Sequence, residues 1–210
     1  MRECDVQIEA CLRSLTDKSA GAPVPANLRK RKRKPERNEP RFGARALLFR
    51  MAGVDLTQIE GISETTALVV LSELGPDLSK FPHEKNFVSW LGLCPQHRGS
   101  AGKIFQRRIR RGANRAARAL RMAAQGCHHA KNALGSFYRR IQARAGGPKA
   151  IVATARKIAE RVYRLLKYGH AYVRVGEQAY EKAYHERQVK AMAKKAAHLG
   201  SKLVPETMTP

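Results

Sequence analysis

The chain is poor in acidic residues and in long apolar runs. Asp and Glu number 17 against 41 Lys and Arg, which gives a formal net charge of +24 over 210 residues. Such a charge repels itself unless a polyanion neutralises it, so DNA or RNA is the expected partner. No uncharged run is long enough to cross a bilayer, and the N-terminus has no secretory h-region. We therefore expect no membrane partner and a cytoplasmic location.

Cysteine is also scarce, which argues against a disulfide framework. The four cysteines are widely separated and are expected to stay reduced: Cys4, Cys11, Cys94 and Cys127. Zinc is the alternative, because Cys94 and His97 form a C-x-x-H pair and His128 and His129 follow Cys127. A structural zinc site needs four converging ligands, yet neighbouring residues of a predicted helix face different directions. We expect no metal in this chain.

Alternating apolar segments typical of strands are almost absent, so the predicted fold class is all-α. Apolar residues at helical spacing predict a helix within residues 1–20, a long helix from about Asn114 to Ala143, and a helix over 149–169 that stops at Gly169. The exception is a short hairpin around Gly102 to Ile109. The tail is expected to fray near Gly200.

Composition divides the chain into four predicted parts. Residues 1–20 form a helix, and residues 21–50 form a basic, proline-rich linker that includes the run from Arg29 to Lys34. Residues 51–172 form a compact helical domain. Residues 173–210 form a charged helical tail.

Residues 56–75 predict a helix-hairpin-helix, a motif that holds DNA by its backbone. Two apolar segments flank Glu60-Gly61-Ile62-Ser63, and Ser63 is a suitable cap for the second helix. In such a motif, main-chain N–H groups at a helix end bind phosphate. Gly61, Ile62 and Ser63 are therefore candidate DNA contacts. The alternative is a pair of helices that only pack together.

Ser100 lies in a small-residue loop that is followed by basic residues. A serine hydroxyl attacks phosphate only if it loses its proton and the growing negative charge is stabilised, which a neighbouring lysine can do. Ser100 and Lys103 are the candidate catalytic residues. The candidate phosphate contacts are Arg107, Arg108, Arg111, Asn114, Arg115 and Arg118. In the alternative reading, Ser100 is a turn residue that bonds only its own backbone.

Aromatic residues are few, and most of them are expected in the core. Phe87 and Trp90 precede the Ser100 loop at core-like spacing. Stacking on an unpaired base is an alternative use for both rings. Packing on a helix face is favoured.

Four motifs occur in the order and spacing of one known family. They are IEGISETTA (59–67), FVSWLGLCPQHRGSAGK (87–103), RRGANRAARAL (110–120) and KAIVATARKIAERVYRLLKYG (149–169). Together they resemble the C-terminal transposase domain of the IS110/IS1111 (IS116/IS902) family of insertion-sequence transposases, over about residues 54–170. Two departures are small: Ala113 stands between the Gly and the Asn of the third motif, and Ala101 stands where many members carry Gly.

The resemblance implies a DNA transposase or recombinase in which Ser100 is the nucleophile of strand transfer. Lys103, Arg111 and Arg115 match basic or helix positions of the family. The family's N-terminal RuvC-like domain, with its metal-binding carboxylates, has no counterpart here. We therefore expect no cofactor in this chain, with Mg²⁺ only alongside a RuvC-like domain or partner chain, and no activity of this truncated chain alone.

Family members are also guided by a structured RNA, which implies RNA as a second partner besides DNA. The resemblance further implies a homo-oligomer when the protein is complete, and a location at the bacterial nucleoid. The alternative function is a nonenzymatic DNA- or RNA-binding module. A basic structural protein of a ribonucleoprotein particle is a third reading.

Overall fold

A computed structural model describes residues 2–15, 17–19, 39–75, 77–100, 103–109 and 114–202, with backbone alone for 96–100, 103–109 and 170–181. Most of the predicted linker, the pair Ala101-Gly102 and Arg111 lie outside the described residues. The chain divides into two compact units, residues 1–173 and residues 174–210.

The all-α fold class is confirmed, with one β-hairpin added. The helices are α1 (Arg2–Ser14), α2 (Ala44–Ala52), a 3-10 helix (Leu56–Gln58), α3 (Glu64–Leu74), α4 (Glu84–Trp90), α5 (Arg115–Gly126), a second 3-10 helix (Cys127–His129), α6 (Ala133–Ala145) and α7 (Gly147–His198). The strands are β1 (Pro95–Ser100) and β2 (Lys103–Ile109), paired antiparallel. The hairpin is longer than predicted, because its first strand already starts at Pro95.

The core of the first unit is built around α3 and α5. Helix α5 turns small residues inward, with Ala116, Ala117, Leu120 and Ala124 buried, and this lets α3 pack closely against it. Larger side chains, among them Phe87, Ile158 and Tyr163, fill the same core from α4 and α7. The main stabilising term for such a core is the burial of apolar surface, which contributes about 25 cal/mol of free energy per Å².

The long helix predicted from Asn114 to Ala143 is wrong, because the chain breaks it between α5 and α6. Cys127–His129 form a 3-10 turn, and Asn132 starts a new helix by accepting a hydrogen bond from the Gly135 backbone N–H at 2.8 Å. Gly135 is buried in close contact with the carbonyl groups of Ala130 and Cys127. An Asn three residues before a Gly was the sequence signal for this new start.

The predicted stop at Gly169 is confirmed. Helix α7 is interrupted there, since Gly169 has φ 76° and ψ 179°, which is not helical backbone. Within the second unit, the helix continues to His198 and ends in a turn at Leu199–Gly200. The helix predicted within residues 1–20 is also present, as α1.

Candidate nucleic-acid interface

The β-hairpin brings Ser100 and Lys103 together at its closed end. Ser100 pairs with Lys103 and Gly99 with Ile104 along the backbone, beyond a register shift between Arg98 and Gly99. Such a bulge bends a strand and increases its local twist. The two candidate catalytic residues are therefore direct cross-strand neighbours. Arg107 and Arg108 lie further along β2, paired with His97 and Gln96.

Helix α5 presents arginines on the face opposite its buried alanines. Asn114 caps the helix by accepting a hydrogen bond from the Ala117 N–H at 3.0 Å. Arg115 is 74% exposed and lies 3.6 Å from a Glu73 oxygen, which is a weak pair. Arg118 is exposed one turn further on. Both side chains are therefore available to phosphate at the end of the helix where the macrodipole favours an anion.

The sequence spacing also predicts Arg121 as a member of this face, together with Arg115 and Arg118. Its Nε atom is buried and finds no hydrogen-bond partner among the described residues, although the residue as a whole is half-buried. An arginine at i+3 from Arg118 and i+6 from Arg115 was the available signal.

The turn at residues 60–63 is present, but a helix-hairpin-helix is not confirmed. The first apolar segment forms only the 3-10 turn Leu56–Gln58. Ser63 caps α3 as predicted, accepting from the Thr66 N–H at 3.2 Å. Ile62 is buried, and its N–H donates to the Ile59 carbonyl at 3.1 Å.

Gly61 packs tightly against the end of α5. Its φ is 85°, and a Cβ there would lie 2.9 Å from the Cys127 Sγ and 3.1 Å from the Ala123 carbonyl oxygen. Close packing is therefore one reason for glycine at this position, whatever its role toward DNA.

An almost completely buried ion pair fixes the chain just before this turn. Arg45 donates to one Asp55 oxygen at 2.6 and 3.1 Å, and Thr57 donates to the other through its N–H and hydroxyl. Burial disfavours the Asp55 carboxylate, but these hydrogen bonds outweigh it, so the pKa of Asp55 lies below its usual value. The pair ties α2 to the 3-10 helix.

Helix α4, which leads into the hairpin, is anchored on α7. Arg164 donates to both Glu84 oxygens, at 2.7 and 3.0 Å, and holds the pKa of Glu84 below its usual value. The Tyr163 hydroxyl donates to the Phe81 and Pro82 carbonyls at 2.8 and 2.9 Å. Lys167 donates to the Pro82 carbonyl at 2.7 Å and to the Tyr163 hydroxyl. These contacts hold the start of α4 and the residues just before it against α7.

The cysteines and histidines weighed for zinc do not form a metal site in the part of the chain that is described. No three His, Cys, Asp or Glu side chains converge among those residues. Cys127 is buried and donates to the Ala123 carbonyl; burial, followed by the nearby Glu60, raises the pKa of its thiol to about 11. The thiol is therefore neutral at pH 7.

Across the described helices, none is both long enough and apolar enough to span a membrane. Residues 54–139 match the family model for transposases of the IS116/IS110/IS902 family. No curated protein matches the chain. The match begins just before the Leu56–Gln58 turn and ends within α6, so it includes the hairpin and α5. This match supports a C-terminal region of an IS110-family transposase over these residues, and with it a role in transposition and interaction with DNA.

Proposed function

We propose that this region carries the nucleophile of DNA strand transfer, with Ser100 attacking a DNA phosphodiester. The observation that carries the proposal is the cross-strand pair Ser100–Lys103 within the matched family region. Opposite Cα atoms of an antiparallel pair lie about 4.5–5.5 Å apart, so the lysine backbone stands beside that of the serine. A lysine ammonium at the attacked phosphate stabilises the charge that develops on the phosphoryl oxygens.

The chemistry conserves the number of phosphate ester bonds. The Ser100 Oγ gives up its proton to a base and bonds to phosphorus, while the bond from phosphorus to one deoxyribose oxygen breaks. That oxygen leaves with a proton. The phosphoserine diester is then attacked by a hydroxyl of another DNA end, which restores the DNA backbone and frees the serine.

DNA is held mainly by its backbone in this proposal. Arg115 and Arg118 project from α5, and Arg107 and Arg108 lie on β2. Arg111 and the capped helix start at Asn114 complete the predicted phosphate contacts, together with the turn at Gly61, Ile62 and Ser63. Phosphate contacts position a duplex without reading its sequence.

The metal chemistry is assigned to another domain. A Mg²⁺ site needs several converging carboxylates, and the residues that the structure describes do not bring three such groups together. They do not fit the ion, so no step here runs through it. The functional assembly then includes a RuvC-like domain or partner chain with Mg²⁺ and a structured guide RNA, in a homo-oligomer. The chain alone is expected to be inactive.

The second candidate is a binding module without catalysis. The observation that favours it is the position of Ser100 at the closed end of a hairpin, where serine is common as a turn residue. In that case the serine hydroxyl never reaches phosphorus.

A denaturing gel with labelled DNA ends separates the two candidates. The chain is combined with a RuvC-like domain, Mg²⁺ and the element's RNA. We expect a covalent protein–DNA adduct with the unchanged chain, none with Ser100→Ala, and a partial loss with Lys103→Ala. Ser136→Ala, on α6, is the matched control and should form the adduct normally. An adduct that persists in Ser100→Ala would refute the nucleophile assignment.

A further inference from the structure

Trp90, Phe81, Lys167 and Tyr168 form a surface that the proposed strand transfer does not use. Trp90 ends α4 and is 42% exposed, and Tyr168 near the Gly169 break is 51% exposed. A contiguous exposed patch of large apolar side chains marks an interaction site, whereas isolated exposed residues do not. This set is called the aromatic surface below.

The members of the aromatic surface are connected by direct contacts. The Phe81 and Trp90 ring centroids lie 5.3 Å apart. The next residue after Phe81, Pro82, accepts the hydrogen bond from Lys167, whose Nζ lies 5.8 Å from the Tyr168 ring centroid. Both exposed rings and the lysine therefore belong to one continuous patch within the first unit.

The indole of Trp90 is held rigidly. It stacks on the buried ring of Phe87 with centroids 6.1 Å apart and planes 22° apart, and it packs on Phe81 as well. A ring fixed in this way loses little conformational entropy when another flat group stacks on it. One side of the indole is packed, and the exposed part can accept such a group.

The surroundings of the aromatic surface are positively charged. Lys80, which precedes Phe81, and Lys167, which contacts Pro82, are both exposed; of the nearby acidic residues, Glu84 is paired with Arg164 and Asp77 interacts with Lys80. Aromatic rings interspersed with lysines are typical of surfaces that bind single-stranded nucleic acid, where bases stack and phosphates contact the cations.

We propose that the aromatic surface binds single-stranded DNA, with one base stacked on Trp90 and another on Tyr168. The inference rests on the proposed function for the choice of DNA. When a strand is cut and transferred, its bases separate from the complementary strand. Trp90 is the last residue of α4, and the chain continues from there to the Ser100 hairpin. The surface would hold the bases unpaired by that exchange.

The fluorescence of Trp90 tests this directly, because the chain contains a single tryptophan. The full chain is titrated with single-stranded oligothymidine and with a duplex of equal length, and binding is followed in parallel by the anisotropy of labelled DNA. Oligothymidine should quench the Trp90 emission over the same concentration range as it raises the anisotropy. The duplex should bind without comparable quenching.

Two variants with a matched control measure the contribution of the rings. Trp90→Ala and Tyr168→Ala should each weaken binding of oligothymidine by about tenfold and leave duplex affinity unchanged. Tyr168→Ala keeps the Trp90 reporter and avoids the packing contacts of the indole. Val6→Ala removes a 65% exposed apolar side chain from α1 and should change neither affinity.

Three outcomes would overturn the proposal. They are unchanged Trp90 emission at saturating oligothymidine, equal losses on single strand and duplex, and a change of emission with protein concentration in the absence of DNA, which would indicate contact between two copies of the chain. Adduct formation at Ser100 does not enter these measurements. The failure of this inference is therefore distinguishable from the failure of the proposed function.

Discussion

At the scale of single residues, Gly135 lies where the chain has no room for a side chain. A Cβ at this position would overlap the Ala130 carbonyl oxygen and lie 2.9 Å from the Cys127 carbonyl oxygen. Both neighbours are backbone atoms, so relief of the overlap requires movement of the turn between α5 and α6. Gly126, at the end of α5, has nothing within 4 Å of the same position.

Gly135→Ala should therefore lower the free energy of unfolding by about 2–4 kcal/mol through overpacking. Gly126→Ala is the matched control, and it should be neutral or stabilise by about 0.5–1 kcal/mol because alanine favours the helix. Chemical denaturation of both variants measures the difference. Equal effects of the two substitutions would show that the contact at Gly135 does not matter.

The sequence predicted that Ser63 caps α3, but not what surrounds the candidate contact residues beside it. Ser63 and Asn114 were predictable, because capping depends on residue type next to a helical pattern. The contact of Gly61 with Cys127 and Ala123 was not, because it joins residues more than 60 positions apart. A short Gly-Ile-Ser sequence suits phosphate binding and tight packing equally well, and only the fold reveals the packing.

At the scale of elements, helical periodicity predicted α1, α3 and the part of α7 that ends at Gly169. It failed between α5 and α6, where Cys127–His129 form a 3-10 turn and Asn132 caps a new helix. It also missed β1, since Pro95 and Gly99 disfavour a strand and His97 and Arg98 break the apolar alternation. A β-strand in a hairpin is stabilised by hydrogen bonds to its partner strand. The residue pattern of one β-strand alone does not reveal that partner.

The Arg45–Asp55 pair makes the attachment of α2 dependent on pH. The pKa of Asp55 is depressed in the folded state, so its stabilisation is present above the unfolded value of 3.8 and is lost as the pH falls through the folded value. Asp55→Asn should lower the free energy of unfolding at pH 7 by about 3 kcal/mol, because it removes the buried carboxylate that accepts from Arg45 and Thr57. The deficit should shrink as the pH falls below 3.8.

Urea denaturation of the unchanged chain and of Asp55→Asn between pH 2 and pH 7 measures this difference. Glu9→Gln is the control, since Glu9 forms an exposed i,i+4 pair with Arg13 that contributes only about 0.3–0.5 kcal/mol. A deficit for Asp55→Asn that stays constant down to pH 2 would contradict the ion-pair explanation.

At the scale of the whole molecule, the charge of +24 sets how the chain binds DNA. Each phosphate neutralised by Lys or Arg releases a counterion, so the affinity should fall steeply as salt rises. Arg115→Ala combined with Arg118→Ala should make the slope of log K against log salt less negative by about 2 and weaken all duplex sequences about equally.

Anisotropy titrations at several salt concentrations test this prediction, with Arg13→Ala as a control that removes an exposed arginine from α1. The control should leave both the slope and the affinity nearly unchanged. An affinity independent of salt would mean that phosphate contacts do not dominate. If the double variant lost much more affinity for some duplex sequences than for others, α5 would be shown to contact bases.

The central claim is that Ser100 forms the covalent bond to DNA, and peptide mapping of the adduct tests it most directly. Trypsin cleaves after Arg98 and Lys103, and the resulting peptide, GSAGK, contains Ser100 as its single hydroxyl residue. After nuclease digestion of the DNA in an adduct from the reconstituted assembly, mass spectrometry should find a nucleotide phosphate on this peptide. A nucleotide on any other peptide, with GSAGK unmodified, would contradict the account.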